Sequence, residues 1–323
     1  MSRTAIVIGA GFAGLSVAAH LAKAGRRVTL LEKNATPGGR AGTLRQDGFT
    51  FDTGPSWYWM PDVFERHFAF FGRKPEDYFD LVRLDPSYAI YFGEGDRLDV
   101  PASMEGLRQL FESLEPGSAA GLDRFLTQAR AKYDLGMNHM VRKPGSSIME
   151  FADAGLLKGI LHMQVFTSFS KHVRRFFKHP KLIGLLEFPV LFLGATPQDT
   201  PALFSLMNHA DMALGTWYPM GGMGKVVDGM VAVARELGVE IRLNEEVTSI
   251  EVDNRMAHHV TTKLNSYQCD QLVGGADYHH VEQRLLPPEL RVHSARYWER
   301  RTMAPSVLMF FIGVDRRLNG LRH

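Results

Sequence analysis

Gly9, Gly11 and Gly14, set in the string Gly9-Ala10-Gly11-Phe12-Ala13-Gly14, have the spacing that lets a backbone hold a pyrophosphate. The first glycine permits a tight turn, the second lets the main chain approach the phosphates, and the third lets a following helix pack close. Glu32 lies further along, where a carboxylate can accept hydrogen bonds from ribose hydroxyls and would repel a 2′-phosphate. Pro37-Gly38-Gly39-Arg40 then supplies two more glycines and a guanidinium with paired donors for phosphate. A simple NAD domain does not need this second element. The set therefore predicts FAD as cofactor, with NADP disfavoured.

The elements that must position these residues are legible around them. Ala5 to Ile8 is a short apolar run of strand type, and Leu15 to Lys23 has helical spacing with Ala18, Ala19 and Ala22 as small packing residues. Gly25 is a stop signal, and Val28 to Leu31 is a second strand ending at Glu32. Together they form a βαβ start. Further on, Val226 to Leu237 reads as a helix and Val239 to Leu243 as a strand. Met104 to Leu114 and Gly121 to Leu135 are helical in pattern.

Bulk properties bound the remaining chemistry. With 323 residues and 45% hydrophobic content the chain is long enough for two domains, and a net charge of +2 suggests no nucleic-acid partner. The single cysteine, Cys269, excludes an intramolecular disulfide or a multi-thiolate metal site. His258-His259 and His279-His280 are adjacent pairs, and neighbours on a strand face opposite ways, so no metal is expected. There is no nucleophile elbow for a Ser-His-Asp triad. Gly222-Met223-Gly224-Lys225 has the wrong glycine spacing for a phosphate loop and reads as the turn feeding the helix at Val226. No window reaches the roughly 18 apolar residues that span a bilayer, the nearest, Leu182 to Ala195, being interrupted by Glu187 and Pro189, and the first residues carry no export signal. A cytoplasmic location follows as an expectation.

The string from Ile6 through Arg40, continued by Phe51-Asp52-Thr53-Gly54-Pro55-Ser56, resembles the carotenoid desaturase branch of the amine-oxidase-like flavoproteins. Gly215 to Met223, Glu187 to Gly194, Asp199 to Leu203 and Asn244 to Val247 extend the resemblance, which is greatest to bacterial phytoene desaturases. It implies an α/β fold: a Rossmann-like FAD-binding domain with an inserted α+β substrate domain, the two-domain glutathione-reductase/amine-oxidase-like arrangement. It also implies contacts for Gly9, Gly11 and Gly14 at the pyrophosphate and for Glu32 at the ribose beside Lys33. Gly39 and Arg40 would lie near the phosphates, and Gly54, Pro55, Ser56 and Trp57 near the flavin ring. The Val247 backbone would meet the adenine. The implied reaction is FAD-dependent desaturation of a long apolar polyene, phytoene towards lycopene, at a membrane surface, with quinone or oxygen as final acceptor. Other activities of the same branch, a 3,4-desaturase or a terminal-methyl oxygenase, stand beside it. An amine oxidase would often tether its flavin to cysteine, and Cys269 is far from the usual attachment point.

The resemblance further implies a longer chain whose last part returns to the FAD domain. On that reading the sequence is C-terminally incomplete, and the alternative of another class is an inactive fragment that binds nucleotide weakly. Val307 to Val314 reads as a strand. The expected FAD-binding domain comprises residues 1–88 and 216–285, and the expected substrate domain 89–215 and 286–323. Candidates to line an apolar channel are Trp57, Tyr58, Trp59, Phe188, Leu191, Phe192, Leu206, Met207, Trp217 and Met220, each equally at home in a core. Asp52, Glu187, His209 and Asp211 are candidate bases with innocent readings, and no catalytic acid or base is assigned. From Leu156 to Lys178, phenylalanines alternate with basic residues. That pattern suits either a membrane interface or a helix packing an aromatic face on the core.

Overall fold

The computed structural model describes residues 3–143, 147, 150, 164–254, 256–302 and 307–318. Two compact units divide the chain. The first comprises Met1–Val82, Tyr218–Thr302 and Phe311–Asp315, and the second Arg83–Trp217, Met303–Phe310 and Arg316–His323.

The first unit opens with β1 (Thr4–Ile8), α1 (Phe12–Lys23) and β2 (Arg27–Leu31). Ala5, Ile6, Val7 and Ile8 are all buried, as befits a parallel strand covered on both faces. The helix starts at Phe12, before the apolar periodicity becomes visible at Leu15, because Gly11 takes an extended conformation (φ −76°, ψ 179°) and serves as N-cap. Ala18 and Ala19 are fully buried, and α1 stops where Gly25 turns left-handed at φ +80°. A hairpin follows, β3 (Thr43–Gln46) and β4 (Phe49–Asp52), and then α2 (Pro61–Phe70). Tyr58 is buried against Phe64 (4.6 Å between ring centroids) and Phe79 (6.1 Å), so this channel candidate is a core residue.

The second unit begins with a hairpin, β5 (Tyr88–Gly93) and β6 (Asp96–Val100). Helix α3 (Met104–Leu114) matches its apolar pattern and is capped by Ser103, whose Oγ accepts from Gly106 N at 3.0 Å. Helix α4 (Ser118–Leu135) starts earlier than its periodicity suggested, just after Gly117 at φ +84°. Short helices α5 (Phe169–Val173) and α6 (Pro180–Glu187) pack with them. Phe111, Phe125, Phe169 and Phe177 are fully buried, with Phe111 meeting Phe177 edge-on at 5.3 Å. In the aromatic and basic stretch, then, Phe169 and Phe177 belong to the core, while Phe166 is 97% exposed. Residues 156–163 of that stretch lie outside the described residues.

This core holds two polar groups of note. Lys132, 3% exposed, donates to Ala202 O at 2.9 Å, Ser205 Oγ at 3.0 Å and Gln164 Oε1 at 3.3 Å, with His172 Nε2 3.4 Å away. Burial pushes its ammonium pKa down to about 8. Asp211 accepts from Tyr88 OH at 2.5 Å and Thr216 Oγ1 at 3.1 Å, and burial pushes its carboxyl up to about 6 against those bonds.

The chain returns to the first unit through α7 (Gly224–Glu236) and β7 (Glu240–Arg242). Val226, Val227, Met230, Val233 and Ala234 form the buried stripe of α7. An antiparallel sheet of β8 (Val247–Asp253), β9 (Met256–Thr262) and β10 (Ser266–Gln268) precedes β11 (Gln271–Gly274). The parallel sheet has the order β11–β1–β2–β7, with β1 registering Ala5 on Gln271 and on Val28. Ile6, Ile8 and Leu31 pack under Val247, Ile250 and Val260 of the antiparallel sheet, with Cys269 among them. Burial raises the Cys269 thiol pKa, in keeping with a packing role.

One expectation is corrected. Residues 307–314 form no strand and are exposed, with Leu308 at 83% and Phe310 at 78%. A strand needs a neighbour to complete its hydrogen-bond ladder, and among the described residues none pairs with this run.

Candidate nucleotide site

The first unit contains a cavity of about 820 Å³ at the carboxyl ends of β1, β2 and β11, where doubly wound sheets place their ligands. Its wall is built by the turn after β1. Gly9 adopts φ +95°, and its N–H donates to Leu31 O at 2.8 Å, which ties the turn to β2. A Cβ on Gly14 would stand 1.8 Å from the Gly9 carbonyl oxygen, so only glycine lets α1 begin this close to β1. A Cβ on Gly11 would meet nothing within 4 Å, because it would project into open space. No side chain caps the start of α1, so its leading amides and positive dipole end serve the cavity.

Of the residues singled out in the sequence, Gly9, Gly11, Glu32, Lys33, Gly39, Arg40, Pro55 and Val247 line this cavity together. Gly14 supports it from behind. Gly54, Ser56 and Trp57 are not on its wall; Gly54 packs against the Arg40 carbonyl, and Trp57 stacks with Trp59 at 5.8 Å. The second glycine pair is held to the first, since Gly38 N donates to Ala10 O at 2.8 Å.

Glu32 is 5% exposed, and its carboxylate is oriented by three bonds. Ala10 N donates at 2.8 Å, Asn34 N at 3.0 Å and Asn34 Nδ2 at 2.8 Å. An ionised carboxylate offers about four lone-pair sites, so acceptor capacity remains for a ligand hydroxyl. Arg40 is open to solvent and pairs with Asp277 at 3.3 Å. The shape and donor set suit the adenosine and diphosphate portion of a dinucleotide: a glycine-walled cradle, a cation, a helix start and an oriented carboxylate line one cavity.

Sequence reasoning missed the third segment of the wall, Gly275, Ala276, Asp277, Tyr278 and His280, together with Glu245 and Glu246. A signal existed: Gly274-Gly275-Ala276-Asp277 places small residues at the end of an apolar run, as Gly9-Ala10-Gly11 does. Gly275 N donates to Ile8 O at 2.8 Å, which brings the two turns together.

None of the candidate bases lies on this wall. Asp52 accepts from Tyr218 OH at 3.2 Å through Oδ2, while its buried Oδ1 has no hydrogen-bond partner among the described residues. Glu187 pairs with Arg174, His209 packs on the Tyr133 ring at 5.3 Å, and Asp211 is enclosed as described above. Among the channel candidates, Leu191 (65% exposed), Phe192 (60%) and Met220 (53%) are open to solvent.

Similarity to known proteins bears on the site. A carotenoid 3,4-desaturase of Haloarcula japonica is 42% identical over 98% of this chain and 64% of its own length. A 4,4′-diapophytoene desaturase of Staphylococcus aureus is 32% identical over 96% of this chain and 62% of its own. This chain thus spans just under two thirds of the length of these relatives. A solved cyclohexylamine oxidase from Brevibacterium oxydans shares the fold, with a TM-score of 0.54 and 19% identity over 93% of this chain and 63% of that one. The model of the flavin containing amine oxidoreductases matches residues 12–322, and the chain belongs to that family of two-domain α/β flavoproteins.

Proposed function

We propose that this chain holds FAD in the cavity of its first unit and acts as a carotenoid desaturase. The observation that carries the reading is the convergence of the Gly9 to Gly14 turn, Glu32, Arg40 and Val247 on one cavity in a chain 42% identical to a named carotenoid desaturase. Gly9, Gly11, Gly14 and Arg40 would hold the diphosphate, with Gly39 alongside. Glu32 and Lys33 would hold the ribose, and Val247 the adenine. Gly54 to Trp57, of which Pro55 alone reaches this cavity, would approach the flavin ring. FAD, when bound, supplies an acceptor at N5 for hydride from a C–C bond. The chain's own part is to orient that ring and keep its surroundings dry.

The substrate in this reading is a long polyene without polar handles, so its affinity must come from apolar area. Conversion of phytoene towards lycopene is the first assignment. A specific observation favours a second, 3,4-desaturation of an already coloured carotenoid, because the 42% identical relative bears that name. Electrons would pass on to quinone or oxygen at the inner face of a cell membrane. No helix among the described residues is long and apolar enough to cross a membrane; in this reading the contact with lipid is peripheral.

Two measurements test this. Purified chain is incubated with FAD and desalted, and retained flavin absorbance near one equivalent supports the cofactor assignment; retained NAD without flavin refutes it. Chain expressed in cells accumulating either phytoene or lycopene is then examined by pigment chromatography. New chromophore from phytoene supports the first assignment, and from lycopene alone the second. No change in either, with FAD bound, refutes desaturation by this chain.

A further inference from the structure

Beyond the residues assigned above, the cavity wall carries an aromatic side chain held by an elaborate support. Tyr278 follows Asp277, whose Oδ2 pairs with Arg40 at the diphosphate end and whose Oδ1 accepts from His280 N at 3.1 Å. His280, Glu246 and Val247 line the same cavity. Tyr278 therefore shares one wall with Asp277, which reaches Arg40, and with His280.

The Tyr278 ring is 55% exposed overall and meets Trp298 (5.8 Å, 61°) and His293 (6.1 Å, 86°) at steep angles. No ring among the described residues stacks face to face on it. Its hydroxyl donates to Glu282 Oε1 at 3.3 Å. Glu282 is 1% exposed and has no cation within salt-bridge reach among the described residues. It is satisfied by donors instead: Val292 N (2.9 Å) and His293 N (3.0 Å) on Oε1, and Trp298 Nε1 (2.8 Å) and Gln283 Nε2 (3.1 Å) on Oε2. A buried carboxylate is costly for a fold to keep, and one that gathers five donors fixes the geometry of all of them.

We propose that Tyr278 is the aromatic contact for the adenosine half of the bound dinucleotide, and that Glu282 is the positioning residue that presents it. The proposal rests on the FAD reading above and adds to it a recognition element for the base. Aromatic rings recognise nucleobases by stacking, and truncation of such a ring to alanine weakens binding by about tenfold or more. Asp277 and His280 share the segment but offer no comparable apolar face.

The test compares wild type with Tyr278→Ala, Tyr278→Phe and Glu282→Gln by calorimetric titration with FAD, with ADP and with inorganic pyrophosphate. Tyr278→Ala leaves the other four donors on Glu282 in place, so it keeps the local fold. The expected result is a loss of about tenfold or more for both FAD and ADP in Tyr278→Ala and a loss of similar sign in Glu282→Gln. Tyr278→Phe, which keeps the ring but loses its bond to Glu282, should fall between wild type and Tyr278→Ala, and the affinity for pyrophosphate should be unchanged throughout. Wild-type binding of FAD with equal affinity in Tyr278→Ala overturns this inference alone. An equal loss for pyrophosphate overturns it too, since a general distortion would then explain the effect. Failure of wild type to bind either nucleotide overturns the cofactor reading and this inference with it.

Discussion

Two glycine-to-alanine changes three residues apart, at Gly11 and Gly14, separate folding from cofactor binding at this site. At Gly14 an added Cβ would lie 1.8 Å from the Gly9 carbonyl oxygen, whereas an ordinary contact begins beyond 3.4 Å. The start of α1 must then move away from β1 by more than an ångström, and overpacking of this kind costs about 1–3 kcal/mol. At Gly11 the added methyl meets no protein atom within 4 Å, and the backbone already sits at φ −76°, which alanine adopts freely. Alanine there restricts the unfolded chain, a gain of about 0.4–1 kcal/mol. It is also a poorer N-cap than glycine by a comparable amount, so stability should change by less than about 0.5 kcal/mol. Yet the methyl enters the space assigned to the diphosphate. Gly11→Ala should therefore keep the wild-type urea midpoint and lose about tenfold or more in FAD affinity, a difference of about 1.4 kcal/mol or more. Gly14→Ala should lose both stability and affinity. Urea denaturation followed by circular dichroism, with fluorimetric FAD titration, measures the pair. Undiminished FAD binding by Gly11→Ala would refute the placement of the diphosphate, and an unshifted midpoint in Gly14→Ala would refute the packing argument.

The buried ammonium of Lys132 makes a prediction about pH. Its pKa falls from 10.5 to about 8 on folding through burial, so between those values the unfolded chain holds the extra proton and stability rises with pH. Lys132 should contribute up to roughly 3 kcal/mol of that rise, and Lys132→Met should lack it; parallel denaturation midpoints for the two proteins from pH 7.5 to 10 would contradict this. Arg40 is assigned to the phosphates in the proposed function but is paired with Asp277, so Asp277→Asn should bind FAD up to about fivefold more tightly, the scale of one exposed ion pair. That gain should vanish in high salt, and equal affinities at low salt would count against competition for Arg40. Glu32→Gln puts a donor where Ala10 N and Asn34 N both donate. It should cost about 1–3 kcal/mol of stability, read as a lower melting temperature in the absence of nucleotide.

How much was legible beforehand differs between the parts. The β1 turn, Glu32 and the Gly38-Gly39-Arg40 element were readable because each role is set by local backbone geometry: glycine where the chain turns or approaches, a carboxylate where a strand ends. Helices α3, α4 and α7 were readable because their apolar spacing is strong over several turns. Only the ends moved, where Gly11 and Gly117 let the chain enter the helix earlier than hydrophobic periodicity could reveal.

Tertiary structure decided what local pattern cannot carry. That Gly275 closes on Ile8, and that Asp277 pairs with Arg40, depends on β11 pairing with β1 across more than two hundred and sixty residues of chain. An aromatic residue reads the same from sequence whether it packs inside or faces solvent, so Tyr58 and Phe177 became core while Phe166 and Phe192 stayed exposed. For residues 307–314, strand propensity was present and a partner among the described residues was not, and a strand exists only as one side of a ladder. Short-range stereochemistry thus wrote the cradle into the sequence, whereas the far wall and the fate of each aromatic were settled by which distant segments the sheets brought together.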